Sequence, residues 1–201
     1  MHDQPTVRPA NASEISDLAV AAGHAFADDP AWNWILPNKT TQLTRLTRFF
    51  NVLFESDFRD GSRDIAMVDG GRAVASWARP HGRHRSLRTS IVGSGRIVRA
   101  LGLGGAIRLG LIELYIDKRL RREPGWYLEI LATHPDRQGQ GDGSALLRAQ
   151  IAEIGATEEI TLATQTERNV TYYARFGFQE IDTYVLPFRG PRMWILKRPI
   201  G

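Results

Sequence analysis

The sequence predicts a single α/β domain over residues 1–201, a mixed sheet with helices on both faces. Three observations predict it. Short β-prone segments alternate with longer stretches of helical spacing. A hairpin signal, Asp69-Gly70-Gly71, joins two of the β segments. Another β segment, 128–133, runs through His134-Pro135-Asp136-Arg137 into a turn punctuated by Gly139, Gly141 and Gly143, which opens a helix. At this length one domain is the default, burying roughly 70% of the extended-chain surface.

The elements follow in order. A strand near residues 6–9 leads to a helix over about 13–27, with Ser13 as N-cap. A second helix spans about 40–58, its Leu43, Leu46, Phe50, Leu53 and Phe54 keeping helical spacing. Strands 65–68 and 73–77 form the hairpin. From His84 to Arg122, Ile91, Ile97, Val98, Leu101 and Leu111 predict helices broken at 102–105. The strand before the glycine turn, its helix to about Ile154, a strand over 159–164 and a helix over 168–175 come next. Strands over 179–185 and 192–197 end the chain.

The glycine turn carries the functional expectation. A helix N-terminus has free N–H groups and partial positive charge, and glycines let a ligand approach the backbone, so the turn suits phosphate. A nucleotide-triphosphate loop is excluded because no lysine follows the glycines, and the third glycine comes one position too early for the dinucleotide fingerprint. The remaining pattern, Gln/Arg-x-x-Gly-x-Gly/Ala, is met by Gln138, Gly141 and Gly143. About 25 residues on, Asn169-Val170-Thr171-Tyr172-Tyr173-Ala174-Arg175-Phe176-Gly177-Phe178 supplies Asn…Tyr-x-x-x-Gly-Phe. With both motifs in this order, the chain resembles the GCN5-related N-acetyltransferases (GNAT). Ala25-Phe26-Ala27-Asp28-Asp29-Pro30, Ala73-Val74-Ala75-Ser76-Trp77, Trp126-Tyr127-Leu128 and Gly190-Pro191-Arg192-Met193-Trp194 look like the branch containing puromycin N-acetyltransferase.

The resemblance implies a mostly antiparallel twisted sheet of about seven strands, with a splay between the fourth and fifth that takes acetyl-coenzyme A. Arg137, Gln138, Gly139, Gln140, Gly141, Gly143 and Ser144 would surround the diphosphate. Leu131, Ala132 and Thr133 would pair with the pantetheine arm, Leu131 N–H polarising the thioester carbonyl, and Asn169 would reach the arm. Asp142 is an awkward neighbour for phosphate, so its side chain is expected to point outward. Tyr173 corresponds to the family tyrosine that protonates the leaving thiolate. On spacing alone it shares a helix face with Asn169, Tyr172 and Phe176 and reads as a core aromatic.

Glu129 is the candidate base; the other reading is a salt bridge or a sheet-edge carboxylate. The branch often has a glutamate where this chain has Ala163. His134 reads as a surface histidine. For the acceptor amine, Asp29, Trp32, Trp34 and Phe54 combine aromatic walls with one carboxylate, although tryptophan and phenylalanine on amphipathic helices are more often core.

Composition sets the bounds. The apolar fraction is 42%, the charged fraction 24% and the net charge +4. No apolar run is long enough to span a membrane and no secretory pattern begins the chain, so the cytoplasm is expected. With no cysteine there is neither a disulfide nor an acyl-cysteine intermediate, and direct transfer is expected. Residues 79–122 hold eleven Lys/Arg against Glu113 and Asp117. This basic run reads as a solvated helical face, with recruitment of an anionic cofactor or of nucleic acid as alternatives. Aromatics are not interleaved with it, which argues against a single-strand platform.

The expected activity is therefore acetyl transfer to a primary amine of a small molecule, by a monomer or homodimer without metal. The alternatives are acetylation of a protein N-terminus or lysine, and a non-catalytic coenzyme A-binding module.

Overall fold

The computed structural model describes residues 5–61, 63–80, 95–120 and 125–201. Of the basic run, residues 81–94 and 121–122 lie outside them. Seven strands, β1 (Val7–Pro9), β2 (Arg63–Val68), β3 (Ala73–Ala78), β4 (Trp126–Thr133), β5 (Ile160–Thr164), β6 (Gln179–Val185) and β7 (Arg192–Arg198), form one sheet in the order β1-β2-β3-β4-β5-β7-β6. Every neighbouring pair is antiparallel except β4–β5. That is the mixed sheet the sequence predicts, mostly antiparallel as the resemblance implies.

Six helices are described: α1 (Ile15–Ala25), α2 (Pro30–Ile35), α3 (Lys39–Asp60), α4 (Gly95–Leu120), α5 (Asp142–Ile154) and α6 (Glu167–Ala174). The first four cover one face, where Leu18, Trp32, Phe49, Phe50, Leu53 and Ile116 pack on Met67, Val74, Tyr127, Ile130 and Ile195. Helices α5 and α6 cover the other, where Leu146, Leu147 and Tyr173 pack on Trp77, Leu128, Leu162 and Leu196. The alternation of side chains along each strand supplies both cores at once.

Several boundaries differ from the expected ones. The first helix is preceded by a 3-10 turn, Ala12–Glu14, capped by Asn11 rather than Ser13: the Asn11 side chain accepts from the Ser13 N–H at 3.1 Å, and Glu14 reaches back to the Asn11 N–H at 3.0 Å. Residues 30–35 make a separate short helix, which Asp29 starts by accepting from the Ala31 and Trp32 N–H groups at 2.9 and 3.1 Å. The signal was Asp-Pro, an N-cap followed by proline at N1. In α3, Leu43 is exposed, whereas Leu46, Phe50, Leu53 and Phe54 are buried. The break predicted in α4 falls at Gly102, whose φ of 71° and ψ of 164° lie outside the helical region.

Strand β4 carries the feature that positions the site. Ser76 of β3 faces Ile130, yet the next residue, Trp77, faces Leu128, so Glu129 is an extra residue, a β-bulge. The alternation shifts there. Before the bulge the Trp126 N–H donates toward β5, to Glu159 at 2.8 Å; beyond it the His134 N–H donates toward β3, to Arg72 at 2.8 Å. Both residues are even-numbered, so Leu131 and Thr133 must turn their backbone groups toward β5. Strand β5 is not there to meet them. The parallel pairing runs only from Trp126↔Ile160 to Leu128↔Leu162, after which the strands diverge.

Candidate active site

The diverging ends of β4 and β5 open into a groove of about 750 Å³. Its floor includes Leu131 and Thr133, one wall is the glycine turn, and the opposite wall is α6 with Asn169, Tyr172 and Tyr173. Of the expected residues, Arg137, Gln138, Gly139, Gly141, Gly143 and Ser144 line it as well.

Gly139 and Gly141 have φ of 80° and 94°, which a side chain would strain. Gly143 has no positive φ; it lies in the first turn of α5, where a Cβ would come within 3.2 Å of Thr133 Oγ1 and 3.3 Å of Tyr172 Oη. Among the described residues, no backbone carbonyl accepts from the N–H groups of Gly139, Gly141, Asp142, Gly143 or Ser144. Clustered free donors at a helix N-terminus suit an anion with several oxygens, so the residues present fit a diphosphate.

Two loop expectations are corrected. Asp142 does not point outward: its side chain is fully buried and both its oxygens receive the Arg137 guanidinium, Nε at 3.0 Å and Nη2 at 3.1 Å. The awkward charge is neutralised from within the loop. His134 is not a surface histidine either. It is buried, its ring centroid lies 4.9 Å from that of His24, and its Nδ1 accepts from the Asp136 N–H at 3.3 Å, capping the 3-10 turn Pro135–Arg137.

Other side chains brace the loop. Gln138 donates to the Thr133 carbonyl at 3.1 Å and Gln140 to the Asp136 carbonyl at 3.0 Å. Gln140 is exposed and does not line the groove. Ala132 turns its side chain to the α1–α4 face. The backbone groups of Leu131 and the N–H of Thr133 therefore remain for a ligand in the splay.

Tyr173 is buried, edge-on to Tyr172 and Phe178 with centroids 5.2 and 5.7 Å away. It is thus a core aromatic and a groove residue at once. Burial pushes its hydroxyl well above the usual phenol range, so it stays protonated at neutral pH. Asn169 donates to Thr164 Oγ1 at 2.9 Å. The Tyr172 and Ser144 hydroxyls lie 3.3 Å apart, linking α6 to the loop.

A second space, of about 110 Å³, lies on the α1–α4 side of the sheet. Of the acceptor candidates, Trp32 lines it, while Asp29 lines the groove. Phe54 and Trp34 line neither. Phe54 is fully buried against Phe50, and the Trp34 ring donates to the Phe188 carbonyl at 3.2 Å. Phe26 lines both spaces and forms their common wall.

Glu129, at the bulge, lines the second space and is bound by the buried Arg63 of β2. Glu129 is thus a salt-bridged carboxylate that also faces the cavity. Phe26, Phe49, Glu113 and Gln165 also line the cavity and were missed, since each belongs to an element whose pattern reads simply as core or turn.

Residues 90–180 match the model of an acetyltransferase (GNAT) domain, a stretch that contains the glycine turn, Leu131 and Tyr173. Over 98% of this chain, and 97% of the other, the fold is similar to a structure described as histone acetyltransferase HPA2 and related acetyltransferase from Corynebacterium glutamicum, with TM-score 0.74 and 25% identity. The ribosomal-protein-S18-alanine N-acetyltransferase of Escherichia coli matches with TM-score 0.54 and 16% identity, over 98% and 95% of the two chains. YncA, a putative acetyltransferase from Salmonella typhimurium solved with acetyl-coenzyme A, matches with TM-score 0.55 and 15% identity, over 99% and 95%.

Proposed function

We propose that this chain, an acyltransferase of the GNAT type, transfers acetyl from acetyl-coenzyme A directly to the primary amine of a small molecule. One observation carries the reading. The bulge at Glu129 turns the Leu131 N–H into a splay that is continuous with an unpaired glycine turn on one side and Tyr173 on the other. On the segments quoted above, we place the chain with the puromycin N-acetyltransferase-like branch.

The N–H groups of Gly139, Gly141, Asp142, Gly143 and Ser144 hold the diphosphate, and the arm lies against Leu131 and Thr133. Acetyl-coenzyme A supplies the acyl group as a thioester. The Leu131 N–H stabilises negative charge on its carbonyl oxygen. Glu129, bound by Arg63, takes the ammonium proton through water, so that the neutral nitrogen forms the carbon–nitrogen bond. As the carbon–sulfur bond breaks, Tyr173 donates a hydrogen bond to the departing sulfur. Its hydroxyl holds its proton more tightly than a thiol does, so this stabilisation precedes protonation of sulfur by the second proton that nitrogen releases.

Similar structures are named for protein substrates and for small amines such as agmatine alike, so the neighbours do not decide the acceptor class. The cavity does. It is set among α2, α3 and α4 behind the sheet, a place for a compact amine rather than an extended chain.

Titrating the purified chain with acetyl-coenzyme A tests the reading. Binding is expected, and Gly141→Asp should abolish it by straining a residue at φ 94° and adding negative charge. Intact binding by that variant would remove the loop from the proposal. Tyr173→Phe should keep the affinity and lower turnover at least about tenfold, the scale of a lost proton or hydrogen-bond donor; undiminished turnover would take Tyr173 out of the mechanism.

A further inference from the structure

The wall of the cavity behind the splay is chemically one-sided. Among the described residues fifteen line it, and only Glu113, Glu129 and Gln165 are polar beyond a tyrosine. Two of those three are carboxylates, and none of the fifteen is Lys, Arg or His. The rest is hydrocarbon, with a tight aromatic corner where the Trp32 and Phe49 centroids stand 4.8 Å apart, tilted by 56°. Its volume, about 110 Å³, is on the order of the ~150 Å³ apolar cavities that accept a benzene-sized molecule.

We infer that the acceptor is a monoamine on an aromatic or comparable hydrocarbon body without a carboxylate, that is, an arylalkylamine-type molecule. The inference rests on the acetyltransferase reading above and deepens it. A ring-sized body replaces water against Phe26, Trp32, Phe49 and Ile112. The ammonium is drawn to the carboxylates of the wall, one of which, Glu129, stands two residues before Leu131.

The same wall rejects other amines for stated reasons. An amino acid would bring a carboxylate into a wall whose lining residues offer it no cation, Arg63 being engaged by Glu129, and a buried unpaired charge is costly. A polyhydroxylated amine would leave most of its hydroxyls without partners. A triamine such as spermidine carries more ammonium groups than the wall has carboxylates and would bury at least one in hydrocarbon. A peptide would bring amide groups that this wall does not satisfy.

The test is a panel run on the full chain: calorimetric titration with acetyl-coenzyme A, then titration of the coenzyme A-bound chain with 2-phenylethylamine. Thiol release is then measured with 2-phenylethylamine, L-phenylalanine, spermidine and a short peptide with a free N-terminal alanine. 2-Phenylethylamine should bind, and its kcat/KM should exceed that of each other amine at least about tenfold, because unpaired polar groups in a pocket are strongly rejected. If acetyl-coenzyme A binds but L-phenylalanine, spermidine or the peptide reacts as well or better, the substrate inference falls while the transferase reading stands. If acetyl-coenzyme A does not bind, both fall. Glu113→Gln should lower the ratio of kcat/KM for 2-phenylethylamine over L-phenylalanine about tenfold and leave acetyl-coenzyme A affinity unchanged. A ratio that does not move overturns Glu113 as part of the selection, and the ratio is insensitive to a general loss of folded enzyme.

Discussion

At the scale of the residue, two carboxylates differ through their surroundings. Glu129 is matched by a buried guanidinium, whereas Asp29 sits at the N-terminus of α2, where burial pushes its carboxyl up to about 6 despite two N–H donors. A raised acid pKa means that the ionised folded form is penalised. The penalty is absent at low pH, grows as pH rises from about 4 to about 6, and is constant above. Asp29→Asn keeps a cap acceptor and removes the penalty. The variant's stability relative to the parent should therefore improve as pH is raised from 4 to 7, followed by thermal melts; a difference independent of pH would show that Asp29 is not strained by burial. Glu129→Gln acts on chemistry instead. With an alkylamine acceptor, kcat/KM should drop roughly a hundredfold or more near pH 7, the scale of a lost general base. The deficit should shrink above the amine's own pKa, where no proton has to be removed. A deficit that persists at high pH would make Glu129 a positioning residue only.

At the scale of the element, the loop between β4 and α5 shows what the sequence could and could not disclose. Its glycines, the flanking strand and the helix start were legible because each rests on local chemistry: positive φ at Gly139 and Gly141, and hydrophobic alternation before them. The bulge at Glu129 was not legible, because it is a matter of register against β3 and nothing in Leu128-Glu129-Ile130 distinguishes it from regular strand. The inward turn of Asp142 was missed for a similar reason: it depends on Arg137, five residues back, folding across the 3-10 turn. Phe54 looked like an acceptor-site residue because periodicity identifies a buried face without saying whether a core or a cavity lies beneath it. The Arg137–Asp142 pair predicts a measurable coupling. Arg137→Met leaves a buried charge beside the diphosphate donors and should weaken acetyl-coenzyme A binding at least about tenfold, while Arg137→Met with Asp142→Asn should recover most of it. Failure to recover would mean that Arg137 contacts phosphate itself.

At the scale of the molecule, the sheet is two halves sharing a short seam. Strands β1–β4 and β5–β7 are joined by the parallel pairing at residues 126–128 and 160–162, and beyond it the backbone of Leu131 and Thr133 faces a gap. A ligand lying in that gap does the work of a strand and bridges the halves. Acetyl-coenzyme A at about a hundredfold over its Kd stabilises a protein that binds it only when folded by ~2.7 kcal/mol. For a chain of this size that is roughly 5–10 °C in Tm. The location of the effect says more than its size. Hydrogen exchange should slow at the amides of Leu131 and Thr133, which have no strand partner, and hardly change at Ala132, whose N–H already points to β3. A ligand gripped by the glycine turn alone would raise Tm but leave Leu131 and Thr133 exchanging as before. Protection at alternate residues beyond the bulge is therefore the specific signature of an arm lying between β4 and β5, and uniform protection along β4 would mean that the sheet closes by some other route.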